Sequence, residues 1–217
     1  MSASIPVENL TPEEMKIFNA EYPRLAAAFT SDRRVLEIFQ NNAAFVLEAC
    51  RIAKKEFKTD FRGINASSGF GWQLLRAEHL RRLTTDAGVA HTNWEITVGA
   101  QGWGDWIGTS TTFNQINEDA MVVLLAQLNY SPSPKSYAAI YRLANIVYPV
   151  WYFEWAMRMT DALKVWEFPA PMILRPRNFI YAQLKFTNTG EDIPAIQGIT
   201  FAKASYLQLA TPTLQSP

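Results

Sequence analysis

Two hydrophobic periodicities divide the chain, a helical one before about residue 85 and an alternating one after about residue 90. Across residues 35–53, apolar side chains recur at three- and four-residue spacing, with charged and amide side chains on the opposite face. This spacing predicts one amphipathic helix of about five turns. A Gly-rich loop follows it, and a further short helix is predicted over Trp72 to Leu83.

A separate helix is predicted at the N-terminal end of this region. Thr11, Pro12 and Glu14 follow the pattern of a capping box with proline at the first helical position. Pro23 follows Tyr22, and a residue before proline is biased away from helical dihedral angles. The sequence therefore predicts that this first helix ends near Glu21.

After Gly88 the pattern favours strands. Trp94, Ile96 and Val98 alternate with polar residues, as in a half-buried strand. The apolar run "MVVLLAQLNY" predicts a buried strand that ends at the turn "SPSPK". The stretch "SYAAIYRLANIVYPVWYFEWAM" predicts two short strands on either side of Pro149, and a helix over Ser136 to Asn145 is the alternative.

The stretch "WEFPAPMILRPRNFIYAQLKFTNTGED" predicts a sheet corner followed by a clean strand. Pro169 and Pro171 each remove a backbone donor, so this part of the chain is expected at an edge or corner. "RPRN" predicts a turn, and residues 179–186 alternate in polarity. "TNTGED" predicts a tight hairpin turn, with a later strand pairing back.

Together these patterns predict an α+β protein. Residues 1–88 form an α-helical region, residues 89–210 an antiparallel β-sandwich of jelly-roll type with about eight strands, and residues 211–217 a flexible C-terminal tail.

Composition narrows the classes of partner. Hydrophobic residues make up 48% of the chain and aromatic residues 13%, so a sizeable core is expected. Twenty basic residues balance twenty acidic ones, so no nucleic-acid partner is expected. The N-terminus lacks the pattern of a signal peptide, and the most apolar stretch, Leu143 to Trp155, is too short to span a membrane. We therefore expect a protein made in the cytoplasm.

Residue types for catalysis are sparse. Only His79 and His91 are available as histidine bases, and no Gly-x-Ser-x-Gly motif surrounds a serine. Cys50 is the single cysteine, so no intrachain disulfide is possible, and we expect it buried in a helix. The acidic pairs Glu118-Asp119 and Glu191-Asp192 lie in predicted turns and are expected to face solvent. We expect no enzymatic activity, no metal and no cofactor.

One loop, Gly99 to Gln115, carries a candidate binding site. Trp103 and Trp106, with Asp105 and Gln101, have the residue types of a platform on which a sugar ring stacks while polar groups hold its hydroxyls. The alternative is that the two tryptophans are buried in the core or at a subunit contact.

The order "YPVW … VWEFPAPMILRPRNFIYAQLKFTNTGE … GITFAKASYL", Tyr148 to Leu207, resembles jelly-roll structural proteins of virus particles, especially bacteriophage capsid and capsid-associated proteins. The resemblance implies a capsid, cement or head-decoration subunit, located in the virion and bound to other capsid proteins. The first functional hypothesis is therefore a non-enzymatic virion structural protein. The alternative is a carbohydrate-binding or receptor-binding module that uses the Trp103/Trp106 loop.

Aromatic residues also predict self-association. Tyr148, Trp151, Phe153 and Trp155 belong to a stretch with more aromatic surface than one pair of strands can bury. Exposed rings of this kind are typical of interface hot spots. We expect a homo-oligomer with some of these rings at the subunit contact, and the resemblance favours a trimer.

Overall fold

The computed structural model describes residues 9–29, 33–64, 66–80, 94–109, 111–153 and 164–209. The helices in these ranges are α1 (Pro12–Phe29), α2 (Arg33–Asn41), α3 (Ala43–Phe57), α4 (Ala77–Leu80) and α5 (Ala204–Leu209). The strands are β1 (Phe70–Leu74), β2 (Ile96–Val98), β3 (Gly102–Ile107), β4 (Asn114–Gln115), β5 (Ala120–Asn129), β6 (Ser136–Leu143), β7 (Ile146–Val147), β8 (Trp151–Tyr152), β9 (Lys164–Leu174), β10 (Phe179–Phe186), β11 (Gly190–Asp192) and β12 (Pro194–Lys203).

Two antiparallel sheets form the sandwich. The four-stranded sheet has the order β1-β12-β5-β9. The six-stranded sheet has the order β3-β10-β6-β7, with β4 added to β10 and β8 to β6, and β11 pairs separately with β2. The long strands β5, β6, β9, β10 and β12 alternate between the two sheets along the chain. The protein is therefore α+β, with an N-terminal helical region followed by an antiparallel β-sandwich of jelly-roll type.

The helical region covers one face of the four-stranded sheet, which creates two hydrophobic cores. One core lies between α1–α3 and this sheet, and includes Phe39, Trp72 and Phe201. The other lies between the two sheets, and includes Tyr141 and Leu184. Because β5 contributes to both cores, it is buried along its whole length, as its continuous apolar sequence predicts.

The predicted end of the first helix is wrong, because α1 continues through Pro23 to Phe29. Tyr22 and Leu25 extend the buried stripe that Phe18 begins. The Tyr22 hydroxyl also donates to the Phe39 carbonyl over 2.6 Å. This burial outweighs the single backbone hydrogen bond that a proline removes from a helix. The predicted capping box is confirmed, since Thr11 N–H donates to Glu14 Oε2 over 2.7 Å.

The predicted five-turn helix is divided into α2 and α3 at Asn42. The Asn42 amide nitrogen donates to the Ile38 carbonyl over 2.8 Å and to Glu167 on β9 over 2.9 Å. Because the Asn42 side chain bonds both to the preceding helical turn and to strand β9, α2 and α3 can turn relative to each other at this residue.

The predicted helix over Trp72 to Leu83 is also wrong. Residues 70–74 form β1, which pairs with β12, and Ala77–Leu80 form the short α4. Long-range pairing overrides the local pattern here, since Trp72 is buried between α1 and β12. The first strand therefore precedes residue 88. The predicted domain boundary at residues 88–89 and the predicted tail at residues 211–217 lie outside the described residues.

The alternative helix over Ser136 to Asn145 is wrong, because residues 136–143 form β6. More strands form than the predicted eight, since the described residues after 90 hold β2 to β12. The prolines at 169 and 171 lie in β9, at the edge of its sheet as predicted. Leu124 of β5 pairs with Met172 of β9, whereas Ala126, only two residues further along β5, pairs with Glu167. The extra residues of β9 form a bulge that contains both prolines.

The hairpin predicted at "TNTGED" is wrong, because β10 and β12 belong to different sheets. The chain instead crosses between the sheets through β11, where Gly190 has a φ of 115°. None of the described helices combines the length and the apolar character needed to cross a bilayer.

Candidate functional site

The six-stranded sheet has one face on the inter-sheet core and one face turned away from it. On β10, Ile180, Ala182, Leu184 and Phe186 point into the core, so the residues between them point outward. The register aligns Asp105 with Gln183 and Trp103 with Lys185. We define the outer face by these residues and their neighbours: Trp103, Asp105, Tyr137, Arg142, Tyr181, Gln183 and Lys185.

A hydrogen-bond network holds the centre of the outer face. The Tyr181 hydroxyl donates to Asp105 Oδ1 over 2.7 Å, and the Gln183 side-chain amide donates to the same oxygen over 3.2 Å. Burial and the bond to Asp105 raise the pKa of Tyr181, so this hydroxyl keeps its proton. The polar groups therefore have fixed positions before any ligand arrives.

The Tyr181 ring is covered by neighbouring side chains. Phe113 stacks on it with ring centroids 5.4 Å apart and planes 24° apart. The Arg142 guanidinium carbon lies 5.6 Å from the centre of the same ring. Tyr181 is therefore almost fully buried and positions Asp105 and Arg142.

Trp103 is an exposed ring of the outer face, with 39% of its surface accessible. The Lys185 ammonium lies 5.7 Å from its ring centre and 5.6 Å from that of Tyr137. Distances below about 6 Å are those of cation–π contacts. Because the ammonium lies over the exposed indole, a flat ligand that stacks on this ring has a cation within reach of its polar groups.

The structure separates the four residues that the sequence grouped as a sugar platform. Strand alternation sends Trp106 to the side opposite Trp103 and Asp105, where it is only 4% exposed. Its ring centroid lies 5.9 Å from that of Trp94 and 6.4 Å from that of Tyr141. The prediction that Trp106 stacks a ligand is therefore wrong. Gln101 is exposed in the bend before β3.

Sequence reasoning missed the residues that β6 and β10 add to this face. The alternation of residues 179–186 indicates that Tyr181, Gln183 and Lys185 share one side of a strand. The sequence carries no signal that this side lies next to Trp103, because the pairing of β3 with β10 joins residues about 80 positions apart.

The aromatic residues predicted at an oligomer interface form a cluster within the chain. The Trp151 centroid lies 5.5 Å from Tyr148, 5.2 Å from Trp166 and 5.1 Å from Phe168. Phe153 is fully buried, and Trp155 lies outside the described residues.

Next to this cluster, four apolar side chains are exposed, which we define as the apolar patch: Ile146, Val147, Val150 and Tyr152. Val147 is 62% exposed and Tyr152 59%. The structure thus places exposed apolar surface beside the predicted residues, on β7, β8 and the loop between them.

The candidate residues for acid–base chemistry lie elsewhere. His79 is buried. Its Nδ1 accepts a hydrogen bond from the Arg76 backbone N–H over 3.1 Å and lies 2.8 Å from the Thr200 hydroxyl oxygen. Burial and the nearby Arg76 lower the pKa of His79 to about 3, which keeps the ring neutral. His91 lies outside the described residues.

Two further expectations concern acidic residues and the cysteine. Glu118 pairs with Arg177 at the surface, but Asp192 is fully buried in β11, contrary to the expectation that it faces solvent. It accepts the Ser136 N–H over 3.0 Å. Cys50 is buried in α3 as predicted, and burial raises the pKa of its thiol. Within the described parts of the chain, no group of three or more His, Cys, Asp or Glu side chains is arranged to hold a metal.

The fold defines the class of protein, a jelly-roll β-sandwich with a helical layer on one sheet. No protein-family model and no curated protein sequence matches the chain. Solved structures similar to parts of it include a family 35 carbohydrate-binding module from Clostridium thermocellum, at 13% identity and a TM-score of 0.29, over 60% of this chain and 96% of that one.

Two further solved structures are similar to this chain. The C-terminal CBM6 module of a laminarinase from Zobellia galactanivorans has 8% identity and a TM-score of 0.27, over 61% of this chain and 99% of its own. A GH26-CBM35 mannanase from Podospora anserina has 11% identity and a TM-score of 0.29 over 64% of this chain, which spans 28% of the mannanase. These scores are too low to support a shared function.

Proposed function

We propose that this protein is a non-catalytic binding protein that holds a carbohydrate on the outer face of its six-stranded sheet. The observation that carries the proposal is the exposed Trp103 ring beside fixed polar side chains. The faces of pyranose rings carry C–H groups that pack on an indole, and sugar hydroxyls need oriented donors and acceptors.

Pre-organisation supports this function. Asp105, Tyr181 and Gln183 are joined by hydrogen bonds on two adjacent strands, so their ordering entropy is lost on folding and not on binding. Trp103 belongs to neither hydrophobic core, so this large ring does not contribute to the packing of either one. A ring kept exposed at this position suits a ligand contact.

A glycan array probed with the wild-type protein and with Trp103→Ala tests the proposal. We expect the wild-type protein to retain a defined set of glycans and Trp103→Ala to lose about tenfold or more in affinity, since truncation of an aromatic hot-spot residue costs about 2 kcal/mol or more. Tyr130→Ala is the matched control, because Tyr130 is another exposed ring, 41% accessible, in the turn after β5. No retained glycan, or equal losses for both variants, contradicts the proposal.

A structural role in a virus particle is a second candidate, favoured by the apolar patch. Residues 143–153, which include the patch, carry no charged side chain. Uncharged apolar surface of this kind suits a contact with further copies of the chain. On this hypothesis light scattering gives a homo-oligomer, with a trimer favoured by the resemblance to capsid-associated jelly rolls, and Val147→Lys converts it to monomer. A wild-type monomer at high micromolar concentration contradicts self-assembly through the patch.

A further inference from the structure

The outer face carries a lysine whose charge is not neutralised by a carboxylate. The Lys185 ammonium lies between the Trp103 and Tyr137 rings, 5.7 Å and 5.6 Å from their centres. Aromatic rings attract a cation but leave its full charge in place. Among the described residues Lys185 forms no ion pair. Lys185 is half-buried as a residue, and its ammonium keeps its charge for pairing with a ligand anion.

A second cation lies on the same side of the sheet. Arg142 is exposed on β6, and its guanidinium packs against the Tyr181 ring 5.6 Å away. The one acidic member of the outer face is Asp105, whose Oδ1 already accepts the bonds from Tyr181 and Gln183. The two cations and the one carboxylate leave the defined residues of the face with a net positive charge, although the whole chain has zero net charge.

The spacing of the two cations indicates the size of the ligand. Arg142 is aligned with Tyr181, and Lys185 lies four positions further along β10. At a rise of about 3.3 Å per residue, the two alignment positions are roughly 13 Å apart. A ligand that reaches both cations is longer than one sugar ring, so the geometry favours an oligosaccharide or a polysaccharide chain.

We propose that the ligand of the outer face is an acidic glycan, a chain whose carboxylate or sulfate groups pair with Lys185 and Arg142 while a sugar ring stacks on Trp103. This inference rests on the proposed carbohydrate-binding function and names its substrate class. Lys185 fixes an acidic group next to the stacked ring, and Arg142 binds a second acidic group further along the chain.

The experiment compares acidic glycans with neutral counterparts of the same backbone. Polygalacturonate is paired with its fully methyl-esterified form, and a carrageenan, which carries sulfate but no carboxylate, is paired with its desulfated form, all at 150 mM salt. The carboxylate and sulfate pairs distinguish the two sources of negative charge. We expect binding to at least one acidic member and a loss of about tenfold or more on esterification or desulfation.

Variants locate the effect on the outer face. Lys185→Met is expected to lower affinity for the acidic glycan about tenfold, with little effect on the neutral counterpart. Lys55→Met, which removes an exposed lysine on α3, is the charge-matched control and is expected to bind as the wild type does. Trp103→Ala is expected to weaken binding to both members of each pair.

The other outcomes overturn either the acidic-glycan inference alone or that inference together with the proposed function. Equal affinity for acidic and neutral partners, with no effect of Lys185→Met, overturns the acidic-glycan inference and leaves carbohydrate binding in place. Equal binding of poly-glutamate also overturns it, since that polyanion carries no sugar ring. If none of these glycans binds and an array with acidic and neutral glycans retains none, both the inference and the proposed function are wrong.

Discussion

The two sheets of the sandwich differ in how many of their faces the chain covers. The four-stranded sheet lies between the helices and the second sheet, so β5 is buried at every position. The six-stranded sheet has one covered face. On β10, Phe179, Gln183 and Lys185 are more exposed than the core residues between them, and Tyr181 is buried beside Phe113 and Arg142. The difference separates two requirements: side chains on the covered faces serve stability, whereas those on the outer face are free to serve binding.

The largest expected effect contrasts two tryptophans, one from each sheet. Trp72 on β1 is fully buried, packs against Phe18 and Phe61, and donates its indole N–H to Glu21 over 3.1 Å. We expect Trp72→Ala to lower the free energy of unfolding by about 3–5 kcal/mol. Trp103→Ala is expected to lower it by about 1 kcal/mol or less. Urea unfolding curves measure both values, and equal losses would abolish the proposed distinction.

The next effect concerns the buried ion pair between α1 and α3 in the helical layer. Lys54 Nζ lies 2.7 Å from Glu14 Oε2, and both side chains are buried. We expect Lys54→Met to cost about 3 kcal/mol, because it leaves the Glu14 carboxylate without its cation. Lys55→Met, one residue further along α3 and exposed, is the control. Chemical unfolding of both variants tests this, and a cost below that of the control would show that the pair does not stabilise the fold.

A smaller effect contrasts two tyrosine hydroxyls. Tyr141 donates to Gln127 Oε1 in the core between the sheets, whereas Tyr181 donates to the exposed Asp105. Tyr141→Phe is expected to cost about 1–3 kcal/mol, since it leaves a buried acceptor unsatisfied. Tyr181→Phe is expected to cost about 1 kcal/mol or less, since water can replace its hydroxyl at Asp105. Thermal unfolding ranks the two variants, and the reverse order would contradict the assignment of faces.

The smallest effect is a dependence on acid. Burial alone would raise the pKa of Glu14, but the ion pair with Lys54 and the N–H bonds from Thr11 and Phe61 outweigh it and lower the pKa below 4.5. A lowered folded-state pKa contributes stability above the unfolded value and loses it as the pH falls through the folded value. Stability should therefore decline below pH 4.5, with a shallower decline in Lys54→Met. Unfolding curves between pH 2 and pH 6 check this, and identical slopes for the two proteins would exclude Glu14 as the cause.

The features that the sequence predicts well are those decided by neighbouring residues. The capping box of Thr11 and Glu14, the buried run of β5 and the alternation of β10 each depend on a short segment. The failures arise where distant contacts decide. β1 forms because β12 pairs with it, and α1 passes Pro23 because Tyr22 and Leu25 bury against the rest of the helical layer.

The candidate site shows the same limit. Local pattern selects Trp103 and Asp105 in the right segment, but the orientation of Trp106 depends on the strand that replaces the predicted loop. Lys185 and Arg142 become part of the site only through the pairing of β10 with β3 and β6. Local sequence pattern does not indicate that pairing, because it joins residues about 40 to 80 positions apart.

The pairing of β1 with β12 has a consequence for synthesis on the ribosome. Phe70 is aligned with Lys203, so the strand that follows the helices finds its partner only when nearly the whole described chain has been made. Until then the apolar faces of α1–α3 have no complete sheet to cover. Such non-local closure slows folding and leaves a nascent chain that chaperones must shield from aggregation. A chain interrupted before Pro194 would keep its helices but lack the central strand on which they pack.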